Sequence, residues 1–87
     1  MLAHSTRFLC GDLNVNIAVL IIDLAVEFKS DVWIEKGENR VTAKGILDLL
    51  SLNIRKFDKI RIIVDGPDER EALRQISAFI RYYRADE

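Results

Sequence analysis

The chain has 87 residues, 49% hydrophobic and 31% charged, with 13 basic against 14 acidic side chains and a formal net charge of -1. That apolar content is too high for a disordered tail, and the near-balanced charge removes the basic footprint of a non-specific nucleic-acid binder. A single His and a single Cys exclude a multi-histidine metal centre and an internal disulfide, so no metal or cofactor is expected and a reducing, cytoplasmic setting is the default.

The length predicts one domain over residues 1–87. The opening MLAHSTRFLC lacks a basic stretch followed by an apolar core and does not read as a signal peptide. The richest apolar run, residues 17–22, stops at Asp23, far short of the ~20 residues that cross a bilayer. Neither membrane nor nucleic acid is expected as a partner.

In chain order, residues 3–9 (AHSTRFL) mix β-branched and aromatic side chains with polar ones and predict an opening strand, closed at the Gly11-Asp12 turn. Residues 16–28 (NIAVLIIDLAVEF) exceed an ordinary strand and carry charge only at Asp23 and Glu27, so a helix is predicted there. Asn14 and Asn16 both qualify as its N-cap, because an Asn carbonyl accepts from the unpaired amides of a first turn. Val32-Trp33-Ile34 begins a strand, residues 36–39 (KGEN) turn it and residues 40–43 return, which is a hairpin. Gly45 opens a short helix over residues 46–51, and the alternation of Ile60, Ile62 and Val64 marks a strand over 59–64. The last helix follows the Asp65-Gly66-Pro67 turn, with Pro67 expected at the first helical position and Asp68 and Glu69 favoured by the helix dipole. Ala72, Leu73, Ile76, Ile80 and Tyr83 recur along one buried stripe of it. Helices alternating with short strands in the order βαββαβα predict an α+β open-faced β-sandwich.

Between about Gly11 and Ile80 the segments FKSDVWI, VTAKGILDLLSLNI and KIRIIVDGPDEREAL follow a known pattern without gaps. They resemble the HPr-like family, the histidine-containing phosphocarriers of the bacterial sugar phosphotransferase system. The opening strand does not fit that pattern without a gap. The resemblance implies the HPr-like fold, with a four-stranded antiparallel sheet and three helices on one face.

In the family, the first helix opens on Leu-His-x-Arg-Pro-Ala, whose His takes phosphate from enzyme I. Here the matching stretch is Leu13-Asn14-Val15-Asn16-Ile17-Ala18, so Asn14 stands at the histidine position, Asn16 at the arginine and Ile17 at the proline. An Asn amide has no titratable nitrogen to accept a phosphoryl group, and Asn16 brings no positive charge to steady one. Asp12 beside it is expected to repel an incoming phosphate, although the helix amides still suit a weak anion. The family's second switch, a serine phosphorylated by a regulatory kinase in some bacteria, falls on Gly45, which has no hydroxyl. Catabolite-repression paralogues lose the histidine and keep the serine, so this chain follows that branch only in part.

No other residue takes over convincingly. His4 is the sole imidazole, but it lies in the opening strand, where a packed or solvated His is the preferred reading. Cys10 has no neighbouring cation or His in sequence and reads as a small buried thiol. Ser30, Ser51 and Thr42 are isolated hydroxyls, and GxxxxGK[ST], CxxC and HExxH are all missing, so no enzyme is expected. The resemblance places the partner-binding face on the first and short helices, at Asn16, Val19, Leu20, Asp23, Ile46, Leu47 and Leu50. Asp23 and Asp48 make it more acidic than is usual in the family, which disfavours the usual partners.

On the open face of the sheet, Trp33, Arg61 and Ile63 are expected to point outward, with Trp33 either stacked on Arg61 or paired with Ile63. Cover by the chain's own side chains is preferred there over a homodimer. Arg55, Lys56, Lys59 and Arg61 are interrupted by Asp58 and read as a solvated loop. The leading expectation is a non-phosphorylatable HPr-like regulatory or protein-interaction module. The alternatives are a phosphocarrier using His4 as a non-standard acceptor, and a small-molecule-binding domain on the same fold.

Overall fold

Ile60, Ile62 and Val64 are all buried against the helices, as their alternation requires. The computed structural model describes residues 1–85; the remaining two of the expected domain over 1–87, residues 86 and 87, lie outside the described residues. The elements are β1 (Leu2–Arg7), α1 (Val15–Ala25), β2 (Asp31–Lys36), β3 (Asn39–Thr42), α2 (Ile46–Ser51), β4 (Lys59–Asp65) and α3 (Glu69–Tyr82). The strands form one antiparallel sheet in the order β1-β4-β2-β3. Ile17, Ala18, Ile21 and Ala25 of α1 and Ala72, Ile76 and Ile80 of α3 close the core over it. Each such buried Ile side chain stabilises the fold by roughly 1.5–3 kcal/mol.

The register of β1 follows from its pairing with β4, which runs from Leu2 opposite Val64 to Arg7 opposite Lys59. Leu2 and His4 therefore share the helix-covered face with Val64 and Ile62, while Ala3 and Ser5 join Ile63 and Arg61 on the open face. The strand ends at Arg7 rather than Leu9 because Phe8 leaves the ladder. Its amide donates to Asp58 O (2.8 Å) and its carbonyl accepts from Phe57 N (2.7 Å).

Two helices are shorter than their sequence suggests. The apolar run of α1 continues to Phe28, but the helix stops at Ala25. Glu27 and Phe28 donate instead to the carbonyls three residues back, Leu24 O and Ala25 O, both at 3.2 Å, which tightens the last turn. The start of α3 is Glu69, not Pro67: Asp68 is the N-cap with φ -114° and ψ 30°, and Pro67 belongs to the preceding turn.

On the open face Trp33 pairs with Ile63 rather than stacking on Arg61. Ile63 does point outward, yet it is only 1% exposed. It lies between its cross-strand partners Ala3 and Trp33, and Trp33 is half-buried. Arg61 does not take part in that pair; its Nε reaches Glu35 at 3.0 Å, and Arg40 reaches the same carboxylate at 3.3 Å.

Candidate functional site

The approach to α1 is tied down before the helix begins. Leu13 N donates to Ile54 O (2.8 Å), and Lys56 N donates to Asp12 Oδ1 (2.8 Å). Asp12, expected to repel phosphate, thus has its carboxylate engaged by the 53–58 loop. Asn14 follows in an extended conformation (φ -132°, ψ -178°), and its Oδ1 accepts from Ile17 N at 3.0 Å. Asn14 is therefore the N-cap, while Asn16 is an exposed residue inside the first turn. One first-turn donor that would suit an anion is satisfied by the chain itself.

The start of α2 is closed in a different way. Gly45 is its N-cap, extended at φ -122° and ψ 129°, with no side-chain cap. A Cβ built at Gly45 would collide with the Asp48 carboxylate and sit 3.4 Å from Thr42 Cγ2. A hydroxyl here requires Asp48 to rotate away, and a phosphate would then meet that carboxylate's charge. Lys44 points elsewhere: its Nζ donates to Phe28 O (3.1 Å) and Ser30 O (2.9 Å) beyond the end of α1.

Helices α1 and α2 pack on each other. On their outer side Val19 is 42% exposed, Leu20 37% and Leu47 79%. Asp23 and Asp48 are exposed as well. Ile46 and Leu50 are half-buried and packed against the core, so they contribute only an edge to this face. The exposed side chains are thus three aliphatics and two acids, with Asp23 one turn from both Val19 and Val26, the C-cap, which is 55% exposed.

A polar cluster at the start of α3 is structural rather than reactive. Asp68 accepts from Lys29 N (2.9 Å), Ser30 N (2.9 Å) and Ser30 Oγ, and Ser30 itself is fully buried. The Ser30 hydroxyl and the Lys29 amide hold the Asp68 carboxyl down at about 2. Gly66 makes this approach feasible. It has φ 153°, and a Cβ there would lie 2.6 Å from Ser30 Cα and from Ser30 Oγ. Only glycine fits that turn.

Cys10 matches its expectation. Its thiol is fully buried, donates to Ile80 O (3.6 Å), and is pushed up to about 11 by burial. His4 lies on β1 facing α3 and lines a groove there with Leu73 and Ser77. Among the described residues no group of three or more His, Cys, Asp or Glu side chains is placed to hold a metal, and no helix is long and apolar enough to cross a membrane.

Sequence reasoning missed Phe57. It has φ 75°, a left-handed conformation unusual for a bulky residue, and its ring is 61% exposed. Its carbonyl accepts from Arg7 Nη1 (3.2 Å), and Lys56 Nζ lies 5.3 Å from the ring centroid. Nothing local in the sequence signals this. The crowding of Gly45 by Asp48 was partly legible, since an acid three residues after an N-cap is a helix-start signature.

An open antiparallel sheet under three helices, with one helix start facing solvent beside a second short helix, defines the phosphocarrier-like class of small α+β proteins. Residues 11–82 match the PTS-HPr family model, described as the PTS HPr component phosphorylation site, and the chain belongs to that family. It is 36% identical over 69 residues to the HPr-like protein Crh of Bacillus subtilis, covering 79% of this chain and 81% of that protein. The crystal structure of HPr-C-His from Thermoanaerobacter tengcongensis superposes with a TM-score of 0.88 at 27% identity, covering 93% of this chain and 92% of the other. The Bacillus subtilis Crh crystal structure, described as an intertwined dimer with a swapped domain, gives 0.78 at 35% identity over 86% of each chain.

Proposed function

We propose that this chain is a single-domain HPr-like regulatory module that does not carry phosphate and works by binding a protein partner. The observation that carries this reading is Asn14, a neutral amide bonded to its own helix at the position where the family places its phospho-acceptor. No imidazole stands there, Asn16 supplies no cation, and Gly45 supplies no hydroxyl. A reducing, cytoplasmic setting fits the single buried free thiol.

The partner face in this reading is centred on Val19, Leu20, Asp23 and Leu47, with Ile46 and Leu50 at its edge. Its exposed aliphatics supply apolar area, and Asp23 and Asp48 favour a partner of complementary positive charge. Incubation with enzyme I and phosphoenolpyruvate, beside a histidine-bearing HPr as positive control, should leave the mass of this chain unchanged. A stable phosphorylated species would overturn the reading. If one forms, His4→Ala separates the remaining possibilities: loss of uptake assigns the phosphate to His4, and continued uptake assigns it elsewhere.

Self-association is a second reading, supported by the swapped dimer described for the related Crh. Sedimentation across a range of protein concentrations tests it. A single monomeric species at all concentrations removes it.

A further inference from the structure

The sole imidazole leads to a site away from both degenerate phosphorylation positions. His4 lines a groove of about 380 Å³ between the edge strand β1 and α3. Leu2, Leu73, Ala78 and the Tyr82 ring give it an apolar wall. A cavity of this size, mostly apolar with a few polar groups, is of the kind that takes small molecules.

The polar groups around it share one sign. Arg70, Arg74 and Arg81 line the groove at intervals that keep them along one side of α3. Arg74 is paired with Glu71, but neither Arg70 nor Arg81 makes an ion pair with a described residue. Glu69, the acid whose carboxyl Arg70 helps to keep ionised, is itself held 3.1 Å from the N-terminal ammonium. The lining of the groove thus carries three guanidinium groups and no carboxylate. Ser77 also lines the groove, with its hydroxyl oxygen buried and without a hydrogen-bond partner among the described residues.

We propose that the β1–α3 groove binds a small amphipathic anion, a molecule with one carboxylate, sulfonate or phosphate head on a short acyl or aromatic body. The rise of an α-helix separates Arg70 and Arg81 by about 16 Å along α3. The body lies on the apolar wall between them, and its head meets a guanidinium at one end. This site is independent of the partner face on α1 and α2.

Titration with 8-anilinonaphthalene-1-sulfonate, followed by its fluorescence, tests the proposal on the intact chain. Saturable binding of one dye per chain is expected. The double variant R70E/R81E, at two exposed positions of α3, should weaken it by about tenfold or more while the circular dichroism spectrum is retained. The single variants R70E and R81E then report which end holds the head. The neutral analogue N-phenyl-1-naphthylamine should bind about tenfold more weakly than the sulfonate. L20S/L47S, which changes only the other face, should leave the affinity unaltered. The proposal is overturned by absence of saturable binding, by an unchanged affinity in R70E/R81E, by equal affinity for the neutral dye, or by loss of binding in L20S/L47S.

Discussion

Helices α1 and α3 both begin on a polar residue, and the two residues use their side chains over very different distances. Asn14 accepts from Ile17 N, three positions ahead, whereas Asp68 accepts from Ser30 and Lys29, 38 and 39 positions back. The first is a local cap that any good capping residue can replace. The second joins the connection after α1 to the start of α3 and depends on a glycine beside it. A helix start of the first kind can change its chemistry without disturbing the fold. One of the second kind cannot. The residue at the start of α1 can therefore vary while the tie between Asp68, Ser30 and Lys29 goes on holding the fold.

The largest effect should come from breaking the long-range tie through its glycine. Gly66→Ala forces a Cβ into Ser30 at a φ of 153° and is expected to cost about 3 kcal/mol. In a chain of this size that lowers Tm by roughly 12–24 °C, and an unchanged melting curve would show that the turn yields easily.

Next comes the charge on that tie. The Asp68 carboxyl is held at about 2 against its ordinary 3.8, so its stabilising contribution is whole above about pH 4 and is lost as pH falls toward 2. Asp68→Asn should therefore unfold at lower urea than the unaltered chain at pH 6, with the gap closing as pH approaches 2. Asp58, Glu69 and Glu71 are also depressed and titrate in the acid range. Only the difference between the two chains isolates Asp68, and a gap independent of pH would remove its carboxylate from the account.

The local cap should matter less. Asn14→Ala removes the bond to Ile17 N and should cost about 1 kcal/mol in urea unfolding. Exchange of the α1 amides should rise while those of α3 keep their protection. The smallest effect is expected at α2, where Gly45→Ser adds a capping hydroxyl but displaces Asp48. The net change should stay within about 0.5 kcal/mol. A larger loss would mean that Asp48 cannot rotate.

That ranking also marks what could be read from the sequence. The element order, the buried alternation of β4, Ala72, Ile76 and Ile80 of the α3 stripe, and Asn14 as one of two cap candidates are local patterns of period or chemistry, and they were legible. Tyr83, expected on that stripe, lies past the end of the helix and is 37% exposed. The start of α3 was not, because Asp68 is drawn out of helical geometry by partners at Lys29 and Ser30 that no short window contains. Ile63 was placed on the correct face and under the chain's own cover, but whether Trp33 would meet it or Arg61 depended on the register between strands, which no short window contains. Phe57 and the β1–α3 groove stayed hidden for the same reason. One is fixed by bonds to Phe8 and Arg7, the other by the approach of a strand to a helix some 70 residues further along.

Cys10 offers a use that its chemistry alone would not suggest. Its thiol donates to the carbonyl of Ile80, and its own carbonyl accepts from Ala85 N at 3.1 Å. With the thiol pushed up to about 11, only about one molecule in ten thousand holds a thiolate at neutral pH. The thiol is also fully buried, so alkylation awaits an opening of the packing around it, of which the contact with Ile80 is a part. The chain has one cysteine, so its labelling rate is a built-in clock for that opening, readable without introducing any probe.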